Sequence, residues 1–130
     1  RLVIVVDASV VADALFLEQR SDLRAALARQ TLHAPALIDY EFLSVARGFV
    51  LGRHVTAHRA QDALTDFGDL AIRRHPMIPA LREAAWDLRN QLTAYDASYA
   101  ALARLLGAPL WTLDTRLARS CPSDITVVQH

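Results

Sequence analysis

"AYDASYAALARLLGAPLWTLDTRLA", residues 94–118, holds a complete helix-to-strand unit. From Asp96 to Leu106, the residues Ala97, Ala100, Ala101, Leu102, Ala103, Leu105 and Leu106 point in all directions around a helix, so the segment reads as central and buried. Gly107 is placed to cap it, Pro109 to stop it, and Leu110-Trp111-Thr112 follows as a strand. Between Asp96 and Asp114 the only charged residue is Arg104, so two carboxylates bracket what is otherwise core. A carboxylate is costly to bury without a partner. The rest of the chain must supply the reason for both.

Leu2-Val3-Ile4-Val5-Val6 is a continuous β-branched and leucine run, the pattern of a strand buried on both faces of a parallel sheet. It stops at Asp7, and Ala8 to Leu17 continues as a helix. Ser21 is expected to cap a short helix to about Arg29, and Thr31 to Ala34 is a short strand. A helix from about Ile38 to Leu51 is closed by Gly52, and another from Thr56 to Phe67 is ended by Gly68. Leu70 to Arg74 reads as an edge strand, Pro79 opens a helix reaching Leu92, Thr115 to Arg119 makes a helical turn, and Ile125 to Val128 is a last strand. Strands alternating with helices predict an α/β fold with a largely parallel sheet, as a single domain over residues 1–130.

Composition excludes several classes. The 53% hydrophobic content supplies a core, and the apolar opening is too short for a membrane span or a secretory h-region, so no membrane association is expected. Cys121 is the lone cysteine, which rules out an internal disulfide and points to a reducing, cytoplasmic setting. Net charge is zero, from 14 cations against 14 acids, without the strongly basic balance usual in nucleic-acid binders. All the cations are arginine, and the absence of lysine excludes a phospho-receiver domain. The glycines Gly48, Gly52, Gly68 and Gly107 form neither a dinucleotide-binding nor a P-loop pattern.

Ligands of such sheets bind beyond the carboxyl ends of the strands, where strand order switches. Asp7 directly follows the first strand and Asp114 lies two residues after Thr112, so both are expected at that edge. Each acid taken alone has a capping explanation. Asp7 and Asp114 can cap the helices after them, Asp96 stands three after Thr93 as in a capping box, and Glu41 suits the first turn of its helix. Gathered together, carboxylates repel by about 4 kcal/mol per close pair at an effective dielectric of about 20, more than capping offsets. A divalent cation reverses that balance, and an all-oxygen set suits Mg2+ or Mn2+ rather than zinc.

"VVDASVVADAL", "APALIDYEFLSVA", "LTAYDASYAALA" and "WTLDTRLA" resemble, in order and over nearly the whole length, the four blocks of PIN-domain ribonucleases, most closely the VapC-type toxins of bacterial toxin–antitoxin pairs. The resemblance implies a single PIN-like domain with a five-stranded parallel sheet flanked by helices. It implies an Mg2+- or Mn2+-dependent endoribonuclease, the toxin of a type II pair, with Asp7, Glu41, Asp96 and Asp114 as its acidic catalytic and metal-binding quartet. Ser9 and Thr112 match supporting positions, while the extra acid some members carry after the last block has no counterpart in Thr115, Arg116 and Leu117. The implied partners are an RNA substrate, a cognate antitoxin covering the site, and a second copy in a homodimer. A PIN-like RNA- or protein-binding module with weak or lost nuclease activity is the alternative reading.

Arg116 and Arg119 follow Asp114 closely and suit a substrate phosphate, with solvated helix positions as the plainer reading. Trp86 and Trp111 sit in apolar surroundings and are expected in the core. The five histidines are scattered, and His54 and His58, at i and i+4, lack a third ligand for zinc.

Overall fold

The structure is a computed structural model that describes residues 2–130. Among them run β1 (Val3–Val6), α1 (Ala8–Phe16), α2 (Ser21–Ala28), β2 (Thr31–Pro35), α3 (Ile38–Leu51), α4 (Ala57–Asp69), β3 (Ile72–His75), α5 (Pro79–Trp86), α6 (Ala94–Leu106), β4 (Leu110–Thr112), α7 (Thr115–Ser120) and β5 (Val127–Gln129). The five strands form one sheet in the order β3-β2-β1-β4-β5, every pair parallel. Ile4 pairs with Leu32 of β2 and Val5 with Leu110 of β4, so β1 is the central strand. The chain builds outward from β1 through β2 to β3, then returns to place β4 on the other side. The switch in strand order therefore falls between β1 and β4.

The apolar runs go where their periodicity sends them. Ile4, Val5 and Val6 are all buried, as a strand covered on both faces requires. α6 lies over β1, β2 and β4 and packs on α5, and every residue from Ala97 to Ala103 is buried. Its last turn departs from the expectation: Leu105 and Leu106 are 51% and 38% exposed. α1, α3 and α4 form a second helical group, joined by Phe42 stacked on Phe67 with ring centroids 4.1 Å apart and by Phe16 beside Phe42.

Several boundaries moved for physical reasons. Gly68 lies inside α4, which continues to Asp69. The helix opened by Pro79 ends at Trp86, and Leu88 and Leu92 are buried from the irregular turns that follow. Trp86 is 66% exposed, a correction to its expected place in the core. Trp111 is partly buried against His130. Ser21 is the first residue of α2 rather than its cap. Gly52 does close α3, but in right-handed geometry; it is the next residue, Arg53, that takes the left-handed φ of 60°. A Cβ at Gly52 would crowd the exposed His54 ring, which can turn aside, and come within 3.1 Å of the Gly48 carbonyl, which gives less easily.

Much of the arginine complement is structural. Arg24 donates to the carbonyls of Ala14, Leu17 and Glu18, closing the end of α1. Arg59 reaches the Leu15 carbonyl, Arg74 binds Asp39 through two oxygens, and Arg104 grips Asp124 in the same way. Gly107 ends α6 with φ of 61° and open space where a Cβ would point, so its requirement is conformational alone. Gly107→Ala is expected to lower stability by about 1 kcal/mol, read as a reduced urea midpoint at unchanged m-value.

Candidate active site

Asp7 is the first residue beyond β1 and the N-cap of α1. Its Oδ1 accepts from the Ser9 hydroxyl at 2.6 Å and from the Val10 backbone N–H at 3.1 Å. Its Oδ2 accepts from the Thr112 hydroxyl at the end of β4. Both helper hydroxyls are themselves aimed: Ser9 Oγ accepts from the Leu113 N–H at 3.1 Å, and Thr112 Oγ1 from the Asp114 N–H at 2.9 Å. A network across the switch point thus joins the ends of β1 and β4, and its members are those the sequence marked.

Asp114 caps α7, its Oδ1 accepting from the N–H groups of Arg116 and Leu117 at 2.9 and 3.2 Å. Asp96 is the third residue of α6, its N–H bound to the Thr93 hydroxyl at 3.2 Å, so the capping reading of residue 93 holds. Glu41 comes from α3, and its Oε1 accepts from the Tyr99 hydroxyl at 2.5 Å. Nothing in the spacing of the sequence located Glu41. Tyr99 was also missed, although it stands one turn after Asp96 on α6 and so shares its face. All these acids, with Ser9 and Tyr99, line one cavity of about 270 Å³ at the carboxyl edge of the sheet.

The carboxylates feel each other. Burial pushes the Asp7 carboxyl above its ordinary range, against the Ser9 and Thr112 bonds that pull it down. Glu41 is raised by burial, with the charges of Asp7 and Asp96 adding and the Tyr99 bond opposing. Asp96 is raised by burial and by Asp114, with the Arg116 charge opposing. Among the described residues, Arg116 offers a weak offset: it lies 4.0 Å from Asp96 with its side chain 78% exposed. Arg119 is exposed on α7 and lines none of this cavity.

The donor set is oxygen only, which suits Mg2+ or Mn2+. Among the described residues, no three His, Cys, Asp or Glu side chains stand close enough to cage an ion. The fit is therefore to a cation that keeps several waters and takes one or two carboxylates directly, the habit of Mg2+.

Two other features lie elsewhere. A groove of about 930 Å³, lined by Met77, Trp86, Leu92 and Ala97 among others, contains none of the four acids. His33 on β2 and His75 on β3, scattered in sequence, meet with ring nitrogens 2.8 Å apart, and burial lowers the pKa of both. No helix among the described residues is long and apolar enough to cross a membrane.

Raised carboxyls have a definite linkage. The stability such a group contributes is fully present below the unfolded carboxylate value of about 4 and is lost as pH rises through its folded value. Asp7, Glu41 and Asp96 all shift in that direction. Asp96→Asn is therefore expected to raise the melting temperature of the metal-free protein at pH 7 and to leave it little changed at pH 4. Calorimetric scans across that range check it; a variant less stable than wild type at pH 7 would contradict the electrostatic account.

Residues 4–121 match the sequence profile of the PIN domain. Ribonuclease VapC1 of Mycobacterium tuberculosis is 40% identical over 129 residues, covering 96% of this chain and 97% of its own. VapBC2 from Rickettsia felis, solved bound to a promoter DNA fragment, superposes with a TM-score of 0.71 at 12% identity over 98% of each chain. VapBC-5 from Mycobacterium tuberculosis, a member of the VapBC toxin–antitoxin family, superposes with a TM-score of 0.63 at 16% identity over 98% of each chain. The sheet order, the switch-point acids and the near full-length identity converge: the chain belongs to the PIN-domain family, among the VapC ribonucleases.

Proposed function

We propose that the chain is a divalent-cation-dependent endoribonuclease and the toxin of a type II toxin–antitoxin pair. The observation that carries the reading is the meeting of Asp7, Glu41, Asp96 and Asp114, drawn from four separate elements, in one cavity at the switch point of the sheet. The identity to ribonuclease VapC1 supports the reaction class. The intact quartet favours catalysis over the alternative of a binding module that has lost its activity.

In this reading Asp7 and Asp96 would be the principal ligands of Mg2+ or Mn2+, and Asp114 and Glu41 would complete the set or orient the attacking water. When bound, the cation supplies Lewis-acid polarisation of the scissile phosphate and neutralises charge that develops on it. Asp7 is held for that task by Ser9 and Thr112, whose hydroxyls orient both of its oxygens. Asp114 or Glu41 accepts the proton of the attacking water, a role suited to a carboxylate not fully engaged by backbone donors. Arg116, at the lip beside Asp96, holds a substrate phosphate, and Arg119 on the next turn of α7 extends that contact.

The partners follow from the same reading. The VapBC structures superposed above support an antitoxin partner, whose inserted cation would take up the charge repulsion of the acids. A homodimer is supported by the exposed apolar side chains Met77, Ile78 and Trp86, at 50%, 54% and 66% exposure. The lone cysteine, Cys121, supports a reducing, cytoplasmic compartment.

Asp7→Asn and Asp96→Asn are each expected to reduce Mn2+-dependent cleavage of single-stranded RNA by at least about 100-fold while the circular dichroism spectrum is kept. A chelator is expected to silence the wild type and excess Mn2+ to restore it. Full activity in either variant, or activity indifferent to the chelator, overturns the assignment.

A further inference from the structure

We propose that Tyr99 is a positioning residue of this site: its hydroxyl fixes Glu41 Oε1 and so presents Oε2 to the cation or its water shell. The inference rests on the function proposed above. Of the four acids, Glu41 has the weakest claim to its place from its own backbone. Asp7 and Asp114 are locked by cap bonds at strand ends, and Asp96 sits in the first turn of α6. Glu41 instead projects from α3, a helix that packs chiefly on α1 and α4, and its three side-chain torsions leave it many rotamers unless something holds it.

Tyr99 is that hold. Its side chain is fully buried, one turn beyond Asp96, so the ring is a rigid lever with two torsions and the hydroxyl at its tip. The bond to Glu41 is 2.5 Å, the short end of the range for a hydroxyl donating to a carboxylate. The hydroxyl is the donor of this bond and the carboxylate its acceptor. The same helix that delivers Asp96 thus also sets where the carboxylate of α3 sits, and residues 58 apart in sequence are aligned by one bond.

A purely structural rivet between α6 and α3 predicts lost stability with unchanged metal affinity; a positioning residue predicts the reverse emphasis. Mn2+ titration calorimetry on the full chain separates them, using wild type, Tyr99→Phe, Glu41→Gln and the double variant, with melting temperatures alongside. Glu41→Gln and Tyr99→Phe are each expected to weaken Mn2+ binding about 10-fold. The double variant is expected to bind no more weakly than Glu41→Gln alone, because nothing charged is left to position. Glu41→Asp, which draws the carboxylate back from the hydroxyl and leaves the core untouched, is expected to weaken Mn2+ as Tyr99→Phe does. Wild-type affinity in Tyr99→Phe or Glu41→Asp, with Glu41→Gln weakened, overturns the positioning role and leaves the proposed function standing, as do losses that simply add in the double variant. Wild-type affinity in Glu41→Gln removes Glu41 from the site and this inference with it. A wild-type protein that binds no Mn2+ overturns the proposed function itself.

Discussion

The hydrogen bond from Thr112 to Asp7 is the contact on which the rest of the arrangement depends. It joins residues 105 apart in sequence at the ends of two strands, at the point where the strand order switches. Both partners are buried, Asp7 at 7% exposure and Thr112 at 0%, so a misaligned pair would strand polar groups away from water. Register between β1 and β4 is thereby held by polar chemistry as well as by pleat. Through the Asp114 N–H, which Thr112 also accepts, the same hydroxyl sets where the next carboxylate emerges.

A network so fully satisfied would make an ordinary structural core if it ended there. Among the described residues, no buried side-chain nitrogen or oxygen lacks a partner. Yet three of the carboxyls that share the cavity are held above their ordinary ionisation range, and the Arg116 guanidinium beside Asp96 stands out in solvent. Hydrogen bonding is complete and charge is not. A fold selected for stability alone would replace one of these acids by an amide or place an arginine among them. The unbalanced charge accords with the divalent cation proposed for this site.

The sheet, its parallel sense and most element boundaries were legible because each rests on local signals: a β-branched run, a capping threonine, a glycine before a proline. Asp7 and Asp114 were legible for the same reason, since a strand end places a residue without reference to anything distant. Glu41 was recognisable only by resemblance, for its place beside the other acids comes from tertiary packing, its bond to Tyr99 58 residues away included, and has no local signature. The His33–His75 pair was hidden likewise, because it needs the β2–β3 register to bring the rings together. Trp86 misled for the opposite reason. Its apolar neighbours Ala84 and Ala85 do pack against the core, but the short α5 turns the indole outward.

The arginines close the argument about substrate. Zero net charge over 14 arginines means no strong field to draw a polyanion from a distance. Arg24 and Arg59 are occupied by backbone carbonyls, and Arg74 and Arg104 by carboxylates, so these four serve the fold. Arg116 stands beside Asp96 on α7, two residues after the acid that caps that helix. For the RNA substrate proposed, binding then depends on a few phosphate contacts close to the reacting bond and on the cation itself. Discrimination must come from the shape of the RNA presented there rather than from bulk attraction. A chain with zero net charge thus offers little to non-specific nucleic acid, which favours selectivity.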